Sequence, residues 1–135
     1  QIGLFISKNS ERKELKLARL EKIAIAALKQ SKNLFLPQII ALDTLKNVIE
    51  KTKKESSTQS FFAHISIPPV KTLSKQILLN HSYHVFIGPE GDFTSEETQL
   101  FLKANFIPFS LGKAILRTET ACIATTHAIH LLHEN

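Results

Sequence analysis

Two stretches of this 135-residue chain combine residue types that can hold a ligand against exposed backbone. The first is Val85-Phe86-Ile87-Gly88-Pro89-Glu90-Gly91-Asp92-Phe93, where three apolar residues of strand type run into a Gly-Pro-Glu-Gly turn. A helix start follows at once, with Thr94 and Glu97 at capping-box spacing and Glu96 also in the first turn. A buried strand that stops at two glycines and restarts as a helix leaves backbone N–H groups facing a crevice. In open α/β sheets, ligands settle at the carboxyl ends of such strands. The second stretch is Leu111-Gly112-Lys113-Ala114-Ile115-Leu116-Arg117-Thr118-Glu119-Thr120-Ala121. It follows a short strand (Ile107 to Ser110), contains a glycine and enters a helix through Thr118. The two loops are candidates for one shared pocket.

Several established chemistries are excluded. The first loop lacks the Gly-Lys-Ser/Thr ending of a P-loop and the three spaced glycines of a dinucleotide fingerprint. No Gly-x-Ser-x-Gly nucleophile elbow is present. Either loop alone reads rather as an ordinary βα connection in which Gly and Pro serve the turn.

Taken together, the loops carry more. Ile87-Gly88-Pro89-Glu90-Gly91 with Phe93, and Leu111-Gly112 followed by Ile115-Leu116-Arg117-Thr118-Glu119-Thr120-Ala121, resemble the SPOUT-type RNA methyltransferases. Within them the chain is similar to the ribosomal RNA small subunit methyltransferase E group, which methylates N3 of a uridine in 16S rRNA. Ser10-Glu11-Arg12, Arg19, Gln30-Ser31 and Pro37 add weaker matches, so the resemblance runs along almost the whole chain. Asp92 departs from it, standing where the family usually has a second glycine, and no ligand role is carried onto it.

The elements that must position these loops can be read in order. Leu4-Phe5-Ile6 reads as a short buried strand. The spacing of Leu17, Leu20, Ala24, Ala27 and Leu28 predicts a long helix from about Glu11 to Lys29. Leu34-Phe35-Leu36 reads as a strand closed by Pro37, and a helix from about Thr44 to Lys53 follows with Asp43 as its N-cap. Residues 51–60 are charged and then rich in Ser and Thr, as a surface loop is. Ser60 to His64 reads as a core strand, Lys71 to Leu79 as a short helix and Tyr83 to Ile87 as the central strand. Ser95 to Ala104, Ile107 to Ser110 and Thr118 to Glu134 complete the series as helix, strand and closing helix. Such alternation implies an α/β fold with a mostly parallel sheet and helices on both faces.

Composition fits one domain with enough chain to bury a core. Seventeen Lys and Arg against twelve Asp and Glu leave a net charge of +5, compatible with a polyanionic partner and equally with a merely basic protein. The single cysteine, Cys122, excludes a disulfide framework within the chain and fits a reducing, cytoplasmic compartment. There is no signal peptide and no membrane-length apolar run. The chain begins with Gln1 and contains no methionine, so it is not expected to be a complete translated product.

The resemblance implies further expectations. Residues 1–135 would form a SPOUT domain lacking an N-terminal PUA-like barrel and the start of the catalytic domain. Ile107 to Leu132 would thread an earlier loop into a trefoil knot, a rare exception to unknotted topology. S-adenosylmethionine would lie among Phe62 and Ala63, Ile87 to Gly91, Leu111, Gly112, Ile115, Leu116, Thr118 and Ala121. Because this cofactor carries its own leaving group, the site need mainly align acceptor and sulfonium. Arg117 would hold the substrate base or a phosphate through its fork of donors. Glu119 would orient Arg117 or act as base, since uridine N3 must lose a proton. Glu90 would cap neighbouring amides, and a homodimer would complete the active site. Arg12, Lys16 and Arg19 share one helix face, read either as a solvated surface or as contacts to the phosphates of 16S rRNA in the 30S subunit. His127, His130 and His133 drift around the last helix with no carboxylate or cysteine to complete a shell, so no metal is expected. Cys122 reads as a small buried packing residue, although a thiol near a helix start can also become more acidic. A non-catalytic RNA-binding or assembly module, or a SPOUT enzyme with another RNA acceptor, fits the same residues.

Overall fold

The computed structural model describes residues 1–10, 14, 16–52, 57–65 and 70–134. Among the described residues, five strands and four helices follow in the order β1 (Ile2–Ile6), α1 (Leu17–Ser31), β2 (Ile39–Thr44), α2 (Leu45–Thr52), β3 (Thr58–Ala63), β4 (Ser82–Phe86), α3 (Ser95–Lys103), β5 (Ile107–Phe109) and α4 (Thr118–His133). Every strand pair is parallel. The pairings make a two-stranded sheet, β1-β2, and a three-stranded sheet in the order β4-β3-β5. The strand in the middle is therefore β3, and β4, expected to be central, lies beside it at the edge of its sheet.

The faces of β3 explain the layers. Phe61 and Phe62 are adjacent and both wholly buried, which is possible only where successive side chains enter two different cores. Phe62 joins Phe86, Phe93 and Phe101 with Leu45 and Ile49 of α2, so α2 and α3 cover that face. Phe61 packs with Leu73 and Phe109 and reaches Ile129 of α4 on the other. Aromatic stacking tightens the first core, where the rings of Phe62 and Phe101 lie 4.6 Å apart and only 7° from parallel.

Several local expectations change. Leu34-Phe35-Leu36 is not a strand: the Leu34 and Phe35 amides bond to Asn33 Oδ1 at 2.8 and 3.3 Å, closing a turn after the helix. Leu34 and Phe35 are consequently 87% and 81% exposed. α1 starts at Leu17, with Lys16 outside helical geometry at its N-cap; Glu11, Arg12, Lys13 and Leu15 lie outside the described residues. The stripe Leu17, Leu20, Ala24 and Leu28 is half-buried, whereas Ala27 is exposed. At α2 the cap is Thr44, whose Oγ1 accepts the Asn47 amide. Asp43 braces this turn by accepting from the Thr44 amide, the Asn47 amide side chain and Lys51, and the Lys51 hydrogen bond first of all lowers its carboxyl to about 2. Between Lys71 and Leu79 only Leu73–Lys75 forms a single 3-10 turn. Side-chain amides take the backbone groups a helix would need: Gln76 donates to the Lys71 carbonyl and Gln59 accepts the Leu78 amide. Cys122 is exposed and its thiol is raised, by partial burial first and the Glu119 carboxylate second.

The capping box at α3 is present as its spacing predicts, with Thr94 accepting from the Glu97 amide and Glu97 accepting from the Thr94 amide. Glu97 also accepts the Lys8 amide at 2.8 Å, which ties the chain after β1 to α3. Glu97 is buried, whereas its neighbour Glu96 meets Lys8 only on the surface. Glu97→Ala leaves two backbone donors without their acceptor and is expected to cost about 1–3 kcal/mol of unfolding free energy. Glu96→Ala should cost less than about 0.5 kcal/mol. Equal urea midpoints for the two variants would show that the buried tie contributes nothing.

Candidate ligand-binding site

Parallel pairing of β3 with both β4 and β5 brings three strand C-termini to one end of the sheet. A cavity of about 320 Å³ opens there. The end of β3 supplies Ala63 and His64, and the loop after β4 supplies Ile87, Gly88, Pro89 and Glu90. From the loop after β5 come Leu111, Gly112, Ile115 and Leu116, while the first turns of α4 add Thr118 and Ala121. The two loops singled out by sequence thus do share a pocket. One hydrogen bond joins them directly, from Thr118 Oγ1 to the Gly88 carbonyl at 2.9 Å.

The glycines serve different ends. At Gly88 an added Cβ would come within 3.2 Å of the Phe93 ring, so the loop lies tight against the core. Gly91 sits close to Asn9, whose side-chain amide donates to the Gly91 and Asp92 carbonyls at 3.1 Å each. Gly112 has φ +125°, a conformation that L residues rarely adopt, and an added Cβ there would meet open space. Ser110 Oγ fixes this corner by accepting the Gly112 amide and donating to its carbonyl.

Two of the residues expected around the ligand do not line the cavity. The Phe62 side chain is turned into the core on the α3 side, because its neighbour Phe61 takes the other face. Gly91 borders instead a larger groove of about 1110 Å³ between the two sheets, bounded by β1, the end of β4 and α4. Arg117 occupies the N-cap position of α4, between Leu116 and Thr118 on the cavity wall, yet is itself exposed and off that wall. Among the described residues it forms no ion pair, neither with Glu90 nor with Glu119, and Glu119 is exposed as well. Lys16 and Arg19 are exposed at the start of α1; Arg12 lies outside the described residues.

Side chains that the sequence analysis did not single out complete the rim. His64 is buried directly after Ala63, and its Nδ1 lies 3.0 Å from Asp92 Oδ2. Lys113 is exposed on the same rim. The signal for His64 was its place at a strand terminus; for Lys113 it was the loop itself. The helix-end histidines have separate partners: His130 meets Glu134 at 3.0 Å, and the His133 ring is 2.9 Å from the Tyr83 hydroxyl.

Comparison with known proteins follows this geometry. The chain is 34% identical over 110 residues to ribosomal RNA small subunit methyltransferase E 1 of Borreliella burgdorferi, covering 78% of this chain and 43% of that protein. It is 34% identical over 134 residues to ribosomal RNA small subunit methyltransferase E of Mesomycoplasma hyopneumoniae, covering 91% of this chain and 54% of that protein. The chain therefore spans about half the length of these relatives. Among solved structures, a probable rRNA-methyltransferase from Porphyromonas gingivalis superposes with a TM-score of 0.88 at 34% identity, over 96% of this chain and 55% of that one. Ribosomal RNA small subunit methyltransferase E from Neisseria gonorrhoeae, solved bound to S-adenosyl methionine, gives 0.84 at 31% identity, over 96% of this chain and 53% of that one. With the family model for an RNA methyltransferase domain matching residues 1–130, the chain belongs to the RNA methyltransferase family.

Proposed function

We propose that this domain binds S-adenosylmethionine and transfers its methyl group to N3 of a uridine in 16S rRNA of the 30S subunit, in the cytoplasm. The observation that carries the reading is the cavity at the three strand ends, with an apolar wall of Leu111, Ile115 and Leu116 and a polar rim. These residues fit the cofactor. The open space over Gly112 admits a flat ring system, and Leu111, Ile115 and Leu116 offer apolar surface beside it. Strand C-termini are also where open α/β sheets take such ligands. When bound, the cofactor supplies a methyl group on a good leaving group, so the chain's own task is alignment.

The acceptor side falls to Arg117. Its neighbours on either side line the cavity while it is exposed, which leaves the guanidinium available to a base or phosphate outside. A guanidinium there stabilises negative charge as uridine N3 loses its proton. Glu119, in the first turn of α4, orients Arg117 once substrate is present. Lys16 and Arg19, with Arg12, supply phosphate contacts. The finer topology proposed for the fold is the threading of Ile107 to Leu132 through an earlier loop, which would hold the second loop in place. α4 pairs with a second copy: Ile123 is 71% exposed, an apolar side chain on the outside of this helix.

Three outcomes test the reading. Calorimetry should show heat for S-adenosylmethionine that falls in the order Gly112, Gly112→Ala, Gly112→Val. Both substitutions strain φ, valine the more because of its β-branch, so a graded loss reports bulk in the ligand space where the two variants melt together, and unchanged affinity in the folded variants removes Gly112 from the site. Arg117→Ala should leave cofactor affinity within about twofold and cut methyl transfer to 30S subunits by roughly a hundredfold. Normal turnover would eliminate Arg117, and loss of cofactor binding in step with activity would reduce it to a brace. Light scattering should report a dimer; a monomer at high concentration would count against the α4 interface.

A further inference from the structure

Asp92 is the least exposed carboxylate on the cavity rim. Its side chain is 22% exposed, whereas Glu90 across the same rim is open to solvent. The backbone turns sharply to place it: φ is +56°, a left-handed conformation that Asp tolerates better than most residues and glycine adopts freely. The turn is closed by the Asp92 amide donating to the Pro89 carbonyl at 2.9 Å. Its two carboxylate oxygens differ. Oδ1 accepts the Phe93 amide at 2.8 Å, which fixes the side chain. Oδ2 has only a long contact from the Ile65 amide at 3.5 Å and the His64 ring. That ring lies 3.0 Å away, but Nδ1 makes no aligned hydrogen bond, which leaves Oδ2 able to accept from a ligand.

A carboxylate with a poorly satisfied oxygen, partly shielded from solvent on a cavity wall, favours a cation in that cavity. The exposed rim charges Glu90 and Lys113 are better screened by water and salt and discriminate less. We propose that Asp92 is a specificity-determining residue that makes the site prefer a positively charged ligand to a neutral one of the same shape. Resting on the cofactor reading above, this means S-adenosylmethionine, with its sulfonium, over the demethylated product S-adenosylhomocysteine. The same attraction that retains the cofactor lapses once the methyl has gone, and the product leaves more readily.

The test compares calorimetric affinities for the two compounds in the wild-type chain, Asp92→Asn and Asp92→Gly. Asparagine keeps the shape and the bond to Phe93, while glycine relieves φ +56°, so at least one variant folds, as melting curves will show. Both variants should bind S-adenosylmethionine about tenfold more weakly and S-adenosylhomocysteine within about twofold of wild type. Equal losses for both ligands would make Asp92 a brace and overturn the proposal, as would no loss for either. A wild-type chain that binds neither compound would instead overturn the cofactor reading and this one with it. Wild-type binding with an unchanged preference in the variants removes only the role of Asp92.

Discussion

The site depends on β3 pairing in parallel with β4 on one side and β5 on the other. Parallel neighbours end together, so three loops converge without any of them needing to be long. The register is held by the adjacent pair Phe61 and Phe62. A slip of one residue would send each ring to the opposite face, away from the residues it packs against. The hydrogen bond from Thr118 to the Gly88 carbonyl then converts convergence into a fixed mouth, because it joins the start of α4 to the end of β4. The cavity is accordingly walled by loop backbone and apolar side chains, with His64, Glu90, Asp92 and Lys113 at its rim.

That construction explains how much could be read from the sequence. Glycine, proline and the Thr94–Glu97 capping box mark βα junctions through local rules, and the structure has them where the spacing put them. The pairing of the two loops was legible because each combined a strand end, a glycine and a helix start. Facing was harder. Phe62 and Ala63 are neighbours at a strand end, but only Ala63 reaches the cavity, and that depends on which core had room for the larger ring. Leu34-Phe35-Leu36 misled for a related reason: three apolar residues resemble a strand, yet the side chain of Asn33 captured their amides. Asp92 is a third case, since a left-handed φ in a non-glycine residue is set by the whole turn and has no signal in one letter.

The division of strands into two sheets was not legible either. Alternation predicts parallel strands but not which edges meet. Among the described residues no ladder joins β1 to β4. Side chains bridge them instead: the Phe5 ring lies 5.8 Å from that of Phe86 and 6.1 Å from that of Phe93, nearly parallel to the latter. Glu97 and Asn9 add polar ties from the chain after β1 to α3 and to the Gly-Pro-Glu-Gly turn.

This arrangement places different mechanical demands on the two walls of the mouth. The loop after β4 is held from behind by Phe93 in the core and from the side by Asn9, so its carbonyls have little freedom. The loop after β5 is held mainly at its ends, by Ser110 at Gly112 and by Thr118 at the helix start, while Lys113, Ala114 and Ile115 between them are exposed. Adaptation to a ligand therefore belongs to the second wall, where few buried contacts must be broken. A rigid wall carrying Asp92 can set charge preference, and a yielding wall carrying Leu116 and Arg117 can close on what has bound.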